Sequence, residues 1–222
     1  MLNLLLAALL MSPTPWFISA VPAGPGAWTG YEATIEVADA GNILSVHAWP
    51  GGYLSDGTFV QNGMTMPNDG GDGMTFAIIS DEAAKAADPA YGLRYLSLET
   101  LPHGAIGSWW TFGMTWNRTH SDWVFYIIDP QGRRYIQGAY RTSASTLRQF
   151  MVVAEPWVNR GAPFPTVAVR NVRVRDAANH WSVPKLRYDS LCEHDGVTSA
   201  GKGNLVFAWL ATACPPHNGW LW

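Results

Sequence analysis

The chain has 222 residues, 48% of them hydrophobic and only 14% charged, with a formal net charge of -3. That balance is too apolar for a disordered chain, and with no basic cluster it excludes nucleic acid as an expected partner. Twelve Trp, eight Tyr and eight Phe favour strands and supply stacking surfaces for sugars and other flat ligands.

The first charged side chain is Glu32. Before it, an apolar block from Leu2 to Leu10 runs into Ser12-Pro-Thr-Pro15, and Val21-Pro-Ala23 offers small residues for cleavage. The block is too short to span a bilayer, so no stable membrane span is expected. Residues 1–23 read as a signal peptide without a basic start, or as an apolar arm packed on the protein. Residues 24–222 read as one domain, and the protein is expected to be secreted or held at the cell surface.

Helical periodicity is nearly absent. One run of helix formers, 81–87, predicts a short helix that ends at Asp88-Pro89. The rest predicts strands at 31–37, 43–49, 58–65, 74–80, 93–101, 109–116, 123–129, 133–140, 150–158, 166–175 and 205–211. The stretch 109–140 reads as an antiparallel meander turning at Asp129-Pro-Gln-Gly132, where Pro and Gly suit a tight turn. Many short strands and one small helix predict an all-β fold, a single antiparallel β-sandwich or jelly roll. Asn68-Asp-Gly-Gly-Asp-Gly73 reads as a hairpin turn, because two carboxylates without a closing Glu make a poor calcium loop.

Three polar side chains interrupt apolar runs: Gln61 in Thr58-Phe-Val-Gln-Asn-Gly63, Glu99 in Tyr95-Leu-Ser-Leu-Glu-Thr-Leu101, and Glu155 in Met151-Val-Val-Ala-Glu-Pro-Trp157. A buried carboxylate or amide costs several kcal/mol unless partnered. Each is therefore a satisfied core group or part of a site. The period of two puts Val153, Glu155, Trp157 and Asn159 on one face, Tyr95, Ser97, Glu99 and Leu101 on another, and Phe59 with Gln61 on a third. Such mixtures of aromatic and hydrogen-bonding groups suit a ligand groove on a concave sheet.

Cys192 and Cys214 are the two cysteines, and in an exported protein they are expected to form a disulfide. No cofactor and no metal site are indicated, since the histidines lack ligand spacing. Asn117-Arg-Thr119 is a glycosylation sequon.

The same segments resemble the glutamic peptidases, or eqolisins, which share a concanavalin-like β-sandwich. Trp28-Thr-Gly-Tyr31 resembles the opening Trp-x-Gly-Tyr of that family, and Asn42 to Pro50 its first core strand. Phe59-Val-Gln-Asn-Gly63 is similar to the motif carrying the catalytic glutamine, Leu98-Glu-Thr-Leu-Pro102 to Glu-Trp-Tyr-Pro, and Val153-Ala-Glu-Pro-Trp-Val-Asn159 to Ala-Glu-x-x-x-Glu. The resemblance implies a glutamate base acting on water and a glutamine amide holding the oxyanion, a division of labour that suits both groups. Gln61 falls on the glutamine, but the base falls on Asn159, and an amide cannot take a proton from water.

The leading expectation is thus an exported, non-catalytic relative that binds a glycan or another cell-surface polymer in a groove. Tyr95, Trp109, Trp110 and Trp157 are candidate ligand-binding residues, with Trp116, Trp123 and Trp181 as further stacking candidates. A second reading is an acid endopeptidase using Gln61 with Glu99 or Glu155 on a peptide substrate. A third is a glycosidase with Glu99 and Glu155 as its carboxylate pair. A fourth is a surface or filament subunit that self-associates through its apolar arm and the tail Gly219-Trp-Leu-Trp222.

Overall fold

The computed structural model describes residues 14–15, 18–24, 26–41, 45–68, 71–87, 92–158, 166–190, 195–201 and 203–209. In chain order the strands are β1 (Thr14–Pro15), β2 (Ile18–Pro22), β3 (Gly30–Glu36), β4 (Ser45–Leu54), β5 (Phe59–Thr65), β6 (Met74–Ser80), β7 (Arg94–Thr100), β8 (Trp109–Asn117), β9 (Asp122–Ile128), β10 (Arg134–Arg141), β11 (Leu147–Val158), β12 (Val167–Arg175), β13 (Trp181–Ser182), β14 (Leu186–Ser190), β15 (Asp195–Gly201) and β16 (Asn204–Trp209). Helix α1 (Glu82–Ala87) sits between β6 and β7, capped by the Asp81 carboxylate, which accepts from the Ala84 N–H at 2.6 Å.

The strands form two antiparallel sheets. The first runs β14-β2-β11-β4-β5-β6-β7, with β1 added to β11. The second runs β10-β9-β8-β3-β12-β16-β15, with β13 added to β12. This is the expected all-β sandwich, consistent with a jelly roll. The meander of β8, β9 and β10 is present, turning where the Gly132 N–H donates to the Asp129 carbonyl at 2.9 Å.

Strand β2, in the stretch expected to be leader or arm, is an interior strand paired to both β11 and β14. Strand β4 runs on through Pro50, Gly51 and Gly52 to Leu54, beyond the expected end at 49, because β11 and β5 hydrogen-bond along both its sides.

The period of two works as the sequence implies. Val60 and Met64 of β5 and Phe150, Val152 and Ala154 of β11 point into the sandwich, where Ile35, Phe112, Trp123, Phe125 and Phe207 of the second sheet meet them. A second apolar cluster, Val21, Trp49, Phe76, Ile78, Met151 and Val153, lies on the outer face of the first sheet.

One polar network crosses the core. Asn62, fully buried, accepts from the Tyr31 hydroxyl at 3.0 Å. Its amide nitrogen faces the carbonyls of Gly113 and Tyr126 and Oε1 of Gln137 at 3.0–3.1 Å. Burial raises the Tyr31 phenol well above its usual pKa, so it stays a neutral donor.

Residues Cys192, Cys214, Asn159 and the tail 219–222 lie outside the described residues, as does the Leu2–Leu10 block. Among the described residues no helix is long and apolar enough to cross a membrane.

Candidate functional site: the outer face of the first sheet

Strand pairing arranges the outer face of the first sheet in rows across β11, β4, β5, β6 and β7. One row is Glu155, His47, Thr65, Met74 and Thr100. The next is Val153, Trp49, Gly63, Phe76 and Leu98. The third is Met151, Gly51, Gln61, Ile78 and Tyr95.

Gln61 is half-buried and sits between apolar neighbours. Glycine is needed beside it: a Cβ on Gly51 would lie 2.8 Å from the Gln61 Cβ and 2.5 Å from the Val60 carbonyl oxygen. The Gln61 side-chain amide meets no hydrogen-bond partner among the described residues, so its N–H donors are available to a ligand. Aromatic rings flank it. Phe59 packs edge-on to Trp49 at 5.7 Å and tilted against Tyr53 at 5.2 Å.

Glu155 is on the same face but in a different row. Its Oε2 accepts from the Trp49 indole N–H at 3.4 Å. Four residues along the strand at about 3.3 Å each, and two strand spacings of about 4.8 Å, put its Cα on the order of 16 Å from that of Gln61. One water cannot bridge the two side chains. The residues flanking Gln61 on this face, at positions 49, 53, 59, 63, 76 and 78, include no carboxylate.

Glu99 is not on this face. A β-bulge in β7 pairs Tyr95 with Ile78 but Ser97 with Ala77, so the strand changes parity at Leu96. Tyr95 therefore joins the outer face, while Glu99 pairs with core-facing Thr75 and lines a cleft of about 400 Å³ at the edge of the sandwich. The expectation that Tyr95, Ser97 and Glu99 share one face is corrected by this bulge. Glu99 and Glu155 thus do not form a glycosidase pair.

The stacking candidates also separate. Tyr95 is 56% exposed on the outer face of the first sheet. Trp110 is 8% exposed in the core, its indole N–H held by Ser108 Oγ at 3.0 Å, so it offers no platform to a ligand. Trp123 is likewise core, tilted against Trp116 with ring centres 5.5 Å apart. Trp109 belongs to the opposite face of the molecule, on the second sheet. The backbone of Trp157 continues β11, and its side chain lies outside the described residues. Asn117 opens the exposed β8–β9 turn, its Oδ1 accepting from the Thr119 N–H at 3.1 Å.

Sequence reasoning passed over His47. It accepts or donates through Nε2 to Ser45 Oγ and through Nδ1 to Thr65 Oγ1, both at 2.9 Å, with Phe76 edge-on at 6.1 Å. Its place opposite Glu155 follows from the β4–β11 register, which no local signal in the sequence announces. Burial pushes its pKa down to about 4. The folded protein then resists protonation that the unfolded chain accepts near pH 6.5. Stability is therefore expected to be flat above pH 6.5 and to fall between pH 6.5 and 4, by on the order of 2–3 kcal/mol. Urea denaturation across that range checks this. The fall should shrink in His47→Phe, and an unchanged slope would refute the assignment.

Among the described residues no group of three His, Cys, Asp or Glu is placed to hold a metal ion.

No protein-family profile and no curated protein matches the chain. Solved structures do share its fold. Scytalido-glutamic peptidase, solved with a peptide-based transition-state analogue, superposes with a TM-score of 0.61 at 11% identity over 88% of this chain and 98% of that one. SCP-B, an eqolisin solved with the tripeptide Ala-Ile-His, gives 0.55 at 11% identity, with the same coverage. The class defined is therefore a β-sandwich with the fold of the glutamic peptidases.

Proposed function

We propose that this chain is an exported, non-hydrolytic relative of that fold, which binds an extended glycan across the outer face of the first sheet. The observation that carries the reading is the row containing Gln61. Among the described residues the Gln61 amide has no hydrogen-bond partner and no carboxylate beside it, and it lies between Tyr53, Phe59, Ile78 and Tyr95. A peptidase of this type needs an ionised base within hydrogen-bond reach of the water that the amide also touches. Glu155 is two rows away and Glu99 is on the other face. An amide donor among aromatic rings still suits a polar polymer, whose rings or chain lie flat on the apolar positions.

The peptidase reading retains one favourable observation, the Gln61 amide itself. Incubation with an unfolded protein from pH 2 to pH 6, with circular dichroism to confirm folding, separates the two. The expected result is no cleavage at any pH where the protein remains folded. Cleavage by the wild type that is lost in Gln61→Ala would overturn the binding reading and establish a peptidase. Loss of glycan-induced tryptophan fluorescence change in Gln61→Ala, with cleavage absent throughout, would support it.

A further inference from the structure

The outer face of the second sheet holds a separate cleft of about 430 Å³, whose polar lining is Glu32, Thr34, Thr111, Asn171 and Arg173, with Ile128 and Val183 as its apolar walls. That volume falls in the range of small-ligand sites. Its floor is built, not incidental. The Glu32 side chain is 8% exposed; its Oε1 accepts from the Tyr126 hydroxyl at 2.5 Å and its Oε2 from Arg173 Nε at 2.5 Å, with a second Arg173 nitrogen also against Oε2. The Tyr126 ring lies over Gly113, where a Cβ would meet it at 2.5 Å, so any other residue there would displace it. Thr34 and Thr111 share a hydrogen bond at 2.8 Å. Asn171, at a bulge in β12, holds a left-handed backbone with φ of 55°, a conformation that costs energy outside glycine.

The charge around this cleft is unlike that of the whole chain. Strand pairing places Arg170, Thr34, Thr111, Ile128 and Arg134 in a single row across five strands. The Arg170 guanidinium carbon lies 4.1 Å from the Trp109 ring centre, and that of Arg134 3.6 Å from the Tyr126 ring centre. Neither donates a hydrogen bond within the described residues. A cation–π contact holds a guanidinium in place without using its N–H donors, which remain for a planar anion, the group arginine recognises with paired hydrogen bonds. The rings they contact lie on adjacent strands, Trp109 four residues along β8 from Gly113, the partner of Tyr126 on β9, which sets the two guanidiniums on the order of 14 Å apart. A short oligomer spans that distance and a single sugar does not.

We infer that this face binds an acidic oligosaccharide, a chain of carboxylate-bearing sugar units. Arg170 and Arg134 engage carboxylates at either end, and the Thr34–Thr111 hydroxyls and Asn171 meet ring hydroxyls between them. The site is independent of the outer face of the first sheet and stands whether or not that face binds a polymer. A linear acidic peptide offers the carboxylates but not the ring hydroxyls that the threonine pair and Asn171 would engage.

The test is calorimetric titration of the full chain with tetragalacturonate, with maltotetraose and poly-glutamate as comparisons. The expected result is binding of tetragalacturonate that weakens as salt rises, with none of maltotetraose. Arg134→Gln and Arg170→Gln, shown to be folded by circular dichroism, should each weaken it about tenfold, since each removes a charged hydrogen-bond donor. Lys85→Gln, an exposed charge on helix α1 beside the first sheet, should leave it unchanged. The inference is overturned if the folded wild type shows no binding at millimolar tetragalacturonate, if both arginine variants bind as the wild type does, or if poly-glutamate competes with equal affinity, which would make the face a receptor for acidic peptide.

Discussion

Replacing Asn62 by alanine is expected to destabilise the fold by about 3–5 kcal/mol, a large fraction of the stability of a typical domain. Asn62 is the fully buried residue through which the two sheets exchange hydrogen bonds. Alanine strands the Tyr31 hydroxyl, the Gln137 amide and two backbone carbonyls in an apolar interior, and each stranded group costs about 1–3 kcal/mol when water cannot replace the partner. Tyr31→Phe removes only one bond and should cost about 1 kcal/mol. Urea denaturation followed by tryptophan fluorescence reads both. A cost under about 1 kcal/mol for Asn62→Ala would mean that water enters the core and satisfies the network.

The second large effect is expected at Glu32 and Arg173. Breaking a buried ion pair from one side leaves the other charge uncompensated and typically costs about 3–5 kcal/mol. Here Arg173 is half-exposed, so it recovers solvation readily when Glu32 is removed, whereas Glu32, on the cleft floor, recovers less when Arg173 is removed. Arg173→Ala should therefore be the more damaging single change. The pair is also braced from outside, with the Arg173 guanidinium 4.9 Å from the Trp181 ring centre, so its truncation loses packing as well. Glu32→Ala removes the acceptor of the Tyr126 hydroxyl, whose pKa is pushed up by burial and by the Glu32 charge. A double-mutant cycle isolates the pair: the double variant should be less destabilised than the sum of the singles. Strict additivity would show that the two side chains act independently.

Much of the fold was legible in the chain order of residues. The alternation of apolar and polar positions in β8 and β12 sorts core from surface with no tertiary knowledge, because a strand turns successive side chains to opposite faces. The Asp129–Gly132 turn was equally legible, since its Gly adopts a φ of 81° that few other residues tolerate. Asn62 was legible but overlooked: it shares the parity of Val60 and Met64, which marks it as a core residue and therefore a bonded one.

The site was legible only in part. The sequence by itself determined that Gln61 shares a face with Phe59, that Glu155 shares a face with Val153, and that the chain builds an antiparallel sandwich. These depend on neighbours one or two residues apart. It could not determine which strands would be adjacent or at what register, because those depend on pairings such as β4 with β11, about a hundred residues apart in the chain. Register separates Gln61 from Glu155, and one bulge in β7 sends Glu99 to the opposite face. Register also assembles Arg170, Thr34, Thr111 and Arg134, scattered over the chain, into one row. A side chain's face is a local property of strand geometry, whereas its company is a property of the sheet.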